Sequence, residues 1–374
     1  MLTMQPTLLV GPSDWDDGRM PRAEFLARTA ALWRNAPAAA GAIVYGDRAQ
    51  HGELAYLTHF TPKLEAALAL IPRVGAPQLL VGGGANMLPA AKPLTFVENL
   101  RPLRDAGKTV AQWTREQSGG GRPVLIGGTF MSYALRREID AATGPIADKT
   151  TELRALMRRK SARELNHIRV ACVTLGGMMD AMRETQGGGA GATATVLFGE
   201  SAAHKHRAQD VRILFSLDGG RTLQPFETPV ERAVDPLQVY VAVRQFGYWV
   251  EGFAVIASSP TPGVQVATAI LRQAVEMVQP GRRCDEVARR IAELIGPLDP
   301  HPITAQVQGN GIGLALEERP LISATSEDTL EAGDVLSLRV GVSDGRDHAI
   351  VSAMVAVHAD DAEVLWSAPL PGTY

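Results

Sequence analysis

Two cysteines in 374 residues are too few for a disulfide framework, and Cys172 and Cys284 lie too far apart for a CxxC metal site. Cys172 falls in an apolar helical stretch, the setting of a small core residue. The chain also lacks a surplus of either charge: formal net charge is -3. The basic concentrations Arg154 to Arg163 and His204 to Arg207 are broken by apolar or acidic residues and read as solvated faces. Nucleic acid and anionic membrane surfaces are therefore not expected partners. No uninterrupted apolar run reaches the roughly 18 residues that span a bilayer. Residues 1–17 carry acids and a proline rather than an apolar run behind a basic start, so they do not read as a signal peptide. The cytoplasm is the expected compartment.

What is present is an ordinary globular composition, 45% hydrophobic, in a chain long enough for two domains with separate cores. From Arg22 the pattern predicts a helix over 23–34, a strand over 42–45, a bounded Tyr56-Leu57-Thr58 segment, a helix around Leu64 to Ile71 and a buried strand over 78–81. Short apolar runs alternating with helical patterns indicate an α/β domain. Gly82-Gly83-Gly84 has no GxGxxG spacing and reads as a loop. Past Thr150-Thr151, Leu165, Ile168 and Cys172 form one apolar helical stripe. A second amphipathic helix spans 264–278 and stops at Pro280-Gly281, and a third begins after Asp285. Strand-like runs occupy 213–216, 239–243, 335–340 and 354–357. His204 and His206, two apart, would share one face of a strand.

The most informative stretch is Gly309-Asn310-Gly311-Ile312-Gly313-Leu314, followed by Glu317-Glu318-Arg319-Pro320. It resembles the Gly-His-Gly-Ile-Gly … His-Glu-x-Pro signature of the creatinase/prolidase/methionine aminopeptidase (M24) family. Lys160-Ser161-Ala162-Arg163-Glu164-Leu165 is similar to that family's Lys-Ser-x-x-Glu-Ile segment, and Tyr56-Leu57-Thr58-His59-Phe60 to its Tyr-Leu-Thr-Gly-Phe. The resemblance implies an α+β protein: a creatinase-type α/β domain over 1–150 and a pita-bread domain over 151–374. It also implies a homodimer acting on a small molecule, in which His59 to Lys63 reach the partner's site and Phe60 and Lys63 contribute side chains.

The family holds two metal ions with two aspartates, one histidine and two glutamates, hard donors suited to activating water. Carried onto this chain, these positions become Tyr240, Glu251, Asn310, Arg339 and Ser352. A three-residue slip would put the first on Val243, which is no ligand either. A guanidinium cannot be deprotonated in a protein, so Arg339 would repel a cation. No metal and no other cofactor is expected. The family's metal-free member, creatinase, uses a histidine base in a Pro-His-x-x-Pro segment. Here Pro225-Phe226-Glu227-Thr228-Pro229 puts Phe226 in its place, lining the site without a base.

Two readings of the converging residues stand. In one, Glu251 and Arg339 form a buried ion pair that fills the site, with Asn310 and Ser352 completing its hydrogen bonds; the chain is then a catalytically inactive ligand- or partner-binding homologue. In the other, Arg339 clamps a substrate carboxylate, Asn310 and Ser352 bind the substrate beside it, and Glu251 or Tyr240 moves a proton, as in a metal-independent hydrolase or lyase, a biosynthetic cyclase or isomerase included. Glu317, Glu318 and Arg319 place two carboxylates and a cation at the rim, where paired acids can raise each other's pKa. His348, just ahead of the last core strand, is the histidine best placed to replace the lost acid/base.

Overall fold

The computed structural model describes residues 14–117, 121–225, 228–296, 298–345 and 347–369. Phe226 lies outside them. The chain divides into two compact units, Gly11–Met157 and a second holding Arg158–Tyr374.

In the first unit, helices α1 (Arg22–Asn35), α2 (Gly52–Thr58), α3 (Ala106–Glu116) and α4 (Tyr133–Thr143) accompany strands β1 (Gly41–Gly46), β2 (Ala67–Pro72), β3 (Gln78–Val81), β4 (Asn99–Pro102) and β5 (Val124–Ile126). The sheet order is β4-β3-β2-β1-β5, antiparallel in the middle and parallel at both ends. Ile43, Leu68, Leu70, Leu80 and Leu125 pack beneath Val110, Trp113 and Ile139 of α3 and α4. Two expectations change here. Tyr56-Leu57-Thr58 closes helix α2, and the helix expected around Leu64 to Ile71 is strand β2. Ala and Leu favour helix, but the run between Pro62 and Pro72 is short, and every residue of β2 is buried between β1 and β3. Tertiary burial overrides propensity there.

Helix α5 (Thr150–Arg158) closes the first unit. The second contains α6 (Ala162–Gly187), α7 (Ala192–Lys205), α8 (Pro262–Glu276) and α9 (Cys284–Ile295). Ser161 and Glu164 start α6 with a reciprocal capping box. Thr261 Oγ1 accepts from the Val264 N–H at the start of α8, with Pro262 in the first turn. The strands form two sheets. One has the order β6 (Asp210–Phe215), β7 (Leu237–Gln245), β8 (Tyr248–Ile256). The other runs β11 (Glu318–Ile322), β10 (Gly309–Gly311), β12 (Val335–Ser343), β13 (His348–Val357), β14 (Ala362–Ser367), and β9 (Asp299–Pro300) pairs with the far end of β12. Helix α6 packs on β7 and β8, and α8 on β12 and β13. His204 and His206 lie at the C-terminal end of α7, not on a strand; His204 faces Glu200, one turn back.

Strands β8 and β13 come together without forming a shared ladder. Side chains bridge them instead. Gln238 Nε2 donates to the carbonyls of Ala254 (2.9 Å) and Ile350 (3.0 Å), and its Oε1 accepts from the Ile350 N–H at 2.8 Å. Ser352 Oγ accepts from the Phe253 N–H at 2.8 Å. Gln238 and Ser352 are both buried, so losing either strands main-chain groups away from water. Gln238→Ala is expected to destabilise the second unit by about 3 kcal/mol, the cost of unsatisfied buried amide groups. Denaturant midpoints and faster hydrogen exchange at the Ile350 amide would show it; unchanged exchange there would refute it.

Candidate active site

Residues opposite one another in the β7–β8 ladder include Tyr240 with Phe253, Ala242 with Glu251, and Arg244 with Trp249. These six share one face of the sheet, because facing residues of an antiparallel pair point to the same side. Val243 points to the other face, which rules out the three-residue slip. Tyr240 Oη donates to Glu251 Oε2 at 2.7 Å. Arg339 Nη1 approaches Glu251 Oε1 at 3.4 Å, its Nη2 donates to Asn310 Oδ1 at 2.8 Å, and its Nε donates to the Val307 carbonyl at 3.2 Å. Asn310 Nδ2 donates to the carbonyls of Gly311 and Leu316. Four of the five positions thus form one hydrogen-bonded chain, Tyr240–Glu251–Arg339–Asn310. The Glu251 side chain is 4% exposed and that of Arg339 is 15% exposed, so the group is sunk but not sealed. Burial, and then the Glu251 charge, push the Tyr240 phenol well above its usual pKa, so it stays a proton donor.

Ser352 does not join the chain. It faces Arg339 across the β12–β13 ladder, yet its oxygen is spent on the Phe253 amide.

These residues do not fit a metal pair. A dinuclear centre needs several lone pairs turned inward. Here the one carboxylate is engaged by a phenol and a guanidinium, and the Asn310 oxygen is engaged by the same guanidinium. Among the described residues, no group of three or more His, Cys, Asp or Glu side chains is placed to hold a metal ion.

The rim differs from expectation. Glu318 does not pair with Glu317: its Oε2 takes the Lys160 ammonium at 2.5 Å and its Oε1 the Ala315 N–H at 3.0 Å. Glu317 is exposed, and Arg319 pairs with Asp328 at 3.2 Å. A paired-acid proton relay is therefore absent from the described rim. The Lys160–Glu318 pair, with side chains 3% and 11% exposed, is a buried contact that the sequence analysis missed. It explains one of the signature glycines, and the main chain explains another. A Cβ on Gly313 would meet Lys160 Cε at 2.8 Å, and one on Gly311 would collide with the Arg319 carbonyl. The motif's Lys160 and Glu318 were the available signal.

His348 is the first residue of β13, four residues before Ser352, or about 13 Å along an extended strand. It bonds to none of the four chain residues; its ring packs edge-on against His301, with centroids 5.9 Å apart, and neither ring nitrogen has a partner among the described residues. Phe60 is 4% exposed, so its ring is folded inward rather than held out toward a second chain, and Lys63 lies half-buried in the following turn.

The second unit, with helices laid against sheets that meet along β8 and β13, has the pita-bread architecture. Residues 169–359, just over half of the chain, match the model of metallopeptidase family M24, and the chain belongs to that family. Its fold resembles the prolidase of Pyrococcus horikoshii OT3 (14% identity, TM-score 0.74, covering 93% of this chain and 99% of that one). It also resembles the dipeptidase PepE of Mycobacterium ulcerans (18%, 0.74, 96% and 98%) and the X-Pro aminopeptidase of Thermotoga maritima MSB8 (16%, 0.73, 91% and 97%). No curated protein sequence matches the chain.

His301 makes a testable contribution to stability beside the site. It is fully buried, its Nδ1 accepts from the Ile303 N–H, and its Nε2–H therefore donates to the Gly220 carbonyl at 2.9 Å. Burial lowers its pKa below the usual value of about 6.5, so the folded state holds it neutral. The unfolded chain then binds the extra proton, and stability present above about pH 6.5 is lost as pH falls below it. Between pH 8 and pH 5.5 the wild type should lose more stability than His301→Gln in denaturant titrations. Equal losses would exclude His301 as the source.

Proposed function

We propose that this chain is a metal-independent enzyme on the M24 fold, a hydrolase or lyase (biosynthetic cyclases and isomerases included) acting on a small carboxylate-bearing amino-acid derivative. The observation that carries this reading is the Arg339 guanidinium, a permanent cation standing among the family's ligand positions and tied to a carboxylate and a phenol. Three of its five N–H groups are engaged. Among the described residues none engages the other two, one on each terminal nitrogen, and such a pair can grip a carboxylate or a developing oxyanion through two parallel bonds. Glu251 and the protonated Tyr240 stand beside it as the proton-moving groups. The chain is read as a homodimer; a monomeric mass in solution scattering would remove that part.

The three acceptors around Arg339 favour one alternative, a non-catalytic M24-fold protein that binds a ligand or partner with the guanidinium as internal filler. Two substitutions separate these. On the enzyme reading Arg339→Lys folds but loses ligand binding or turnover roughly 10²-fold, because an ammonium cannot supply the planar fork. If Arg339→Met lowers the melting temperature while Arg339→Lys binds amino-acid derivatives as the wild type does, the enzyme reading is lost. Elemental analysis of the purified protein should find Mn, Fe, Co and Zn well below one per chain. A stoichiometric metal that disappears in Glu251→Gln would overturn metal independence.

A further inference from the structure

The face that carries Tyr240 and Glu251 continues onto β6. There Asp210 lies opposite Arg244 and Arg212 opposite Ala242. The face is therefore a grid of three rows: Asp210, Arg244 and Trp249; Arg212, Ala242 and Glu251; Leu214, Tyr240 and Phe253. Its centre is the small Ala242. Across it, Arg212 reaches two strands over, and its guanidinium carbon lies 4.7 Å from the centroid of the Trp249 ring. Arg244 approaches the same ring at 5.3 Å.

Two guanidiniums on one indole repel each other, and the buried Arg244 is the one that water screens poorly. Asp210 answers one of them, at 3.7 Å from Arg244, whose side chain is 3% exposed. Arg212 is exposed and has no acidic partner among the described residues. Among the described residues, Arg212 and Arg244 stand on this face with Asp210 and Glu251, while Arg339 reaches Glu251 from β12 of the other sheet. The cation without an acidic partner there is Arg212, on the edge strand β6. Burial, with Arg212 adding to it and Asp210 opposing it, holds the Arg244 pKa down at about 10.

We infer that Arg212, Arg244 and Trp249 form an anion subsite beside Arg339, so that the ligand of this site carries two acidic groups. One group meets Arg339 and the second lies against the exposed Arg212 guanidinium. The contact with the indole tethers the Arg212 guanidinium, which limits the freedom its donors lose when a ligand binds. This rests on reading Tyr240, Glu251 and Arg339 as a ligand site; it does not depend on whether a bond is broken there.

The test compares glutarate, butyrate and sodium chloride at one ionic strength, with melting temperature and calorimetry as readouts. Glutarate should bind the wild type about tenfold or more tighter than butyrate, as expected for one added charge-assisted contact. Arg212→Gln, an exposed position outside the chain of four, should abolish that preference and leave butyrate binding unchanged. Inorganic phosphate giving a larger shift than glutarate, also lost in Arg212→Gln, would assign the second group as phosphate rather than carboxylate. No shift by either acid beyond chloride, equal binding of both acids, or a glutarate preference that survives Arg212→Gln each overturns the subsite. If Arg212→Gln abolishes the preference while Arg339→Lys has no effect on either acid, the subsite stands and the role given to Arg339 fails.

Discussion

A guanidinium that cannot shed its proton organises the centre of the second unit. Once Arg339 points into a low-dielectric site, its charge must be met there, and leaving it unmatched would cost several kcal/mol. Glu251 meets the charge, Asn310 and the Val307 carbonyl each take one further N–H, and Tyr240 occupies the other Glu251 oxygen. The identities of these residues are thus linked. With Arg at 339, a carboxylate at 251 becomes necessary, and an acceptor oxygen at 310 serves better than a histidine competing for the same space. The four residues are better described as one unit with several parts than as independent positions.

Much of this was readable in the sequence because period and spacing survive divergence. The hairpin carrying Tyr240 and Glu251, the loop of Asn310 and the strand of Arg339 were placed by counting from glycines, and strand parity in the structure brings those side chains to one point. What counting cannot show is where a short side chain spends its hydrogen bond. Ser352 stands at the right register but turns to the Phe253 amide, a partner 99 residues away. Strand β2 was unreadable for a related reason, since its Ala-Leu run shows no period and only burial between two neighbours makes it extended. Arg212 was hidden because its meaning lies in Trp249, two strands across.

The glycine signature has a packing reason of its own. Gly311 and Gly313 are required by backbone and by Lys160, which would be blocked by any added methyl group. Lys160 is held by Glu318, and the next residue, Ser161, caps α6 together with Glu164, whose carboxylate also takes the Tyr248 hydroxyl at 3.0 Å. Selection on packing alone would keep these positions. They mark the scaffold.

The seam between β8 and β13 has a consequence of its own. Main-chain ladders hold neighbouring strands at a fixed spacing of about 4.8 Å and a narrow range of twist. A join made by the Gln238 amide and the Ser352 hydroxyl is tied to no such spacing, and each link can be lengthened, shortened or deleted by one codon change. The angle at which the two sheets meet, and with it the distance between Glu251 on one and Arg339 on the other, is therefore an inherited variable. A lineage could widen or narrow this site from the seam without altering any residue inside it.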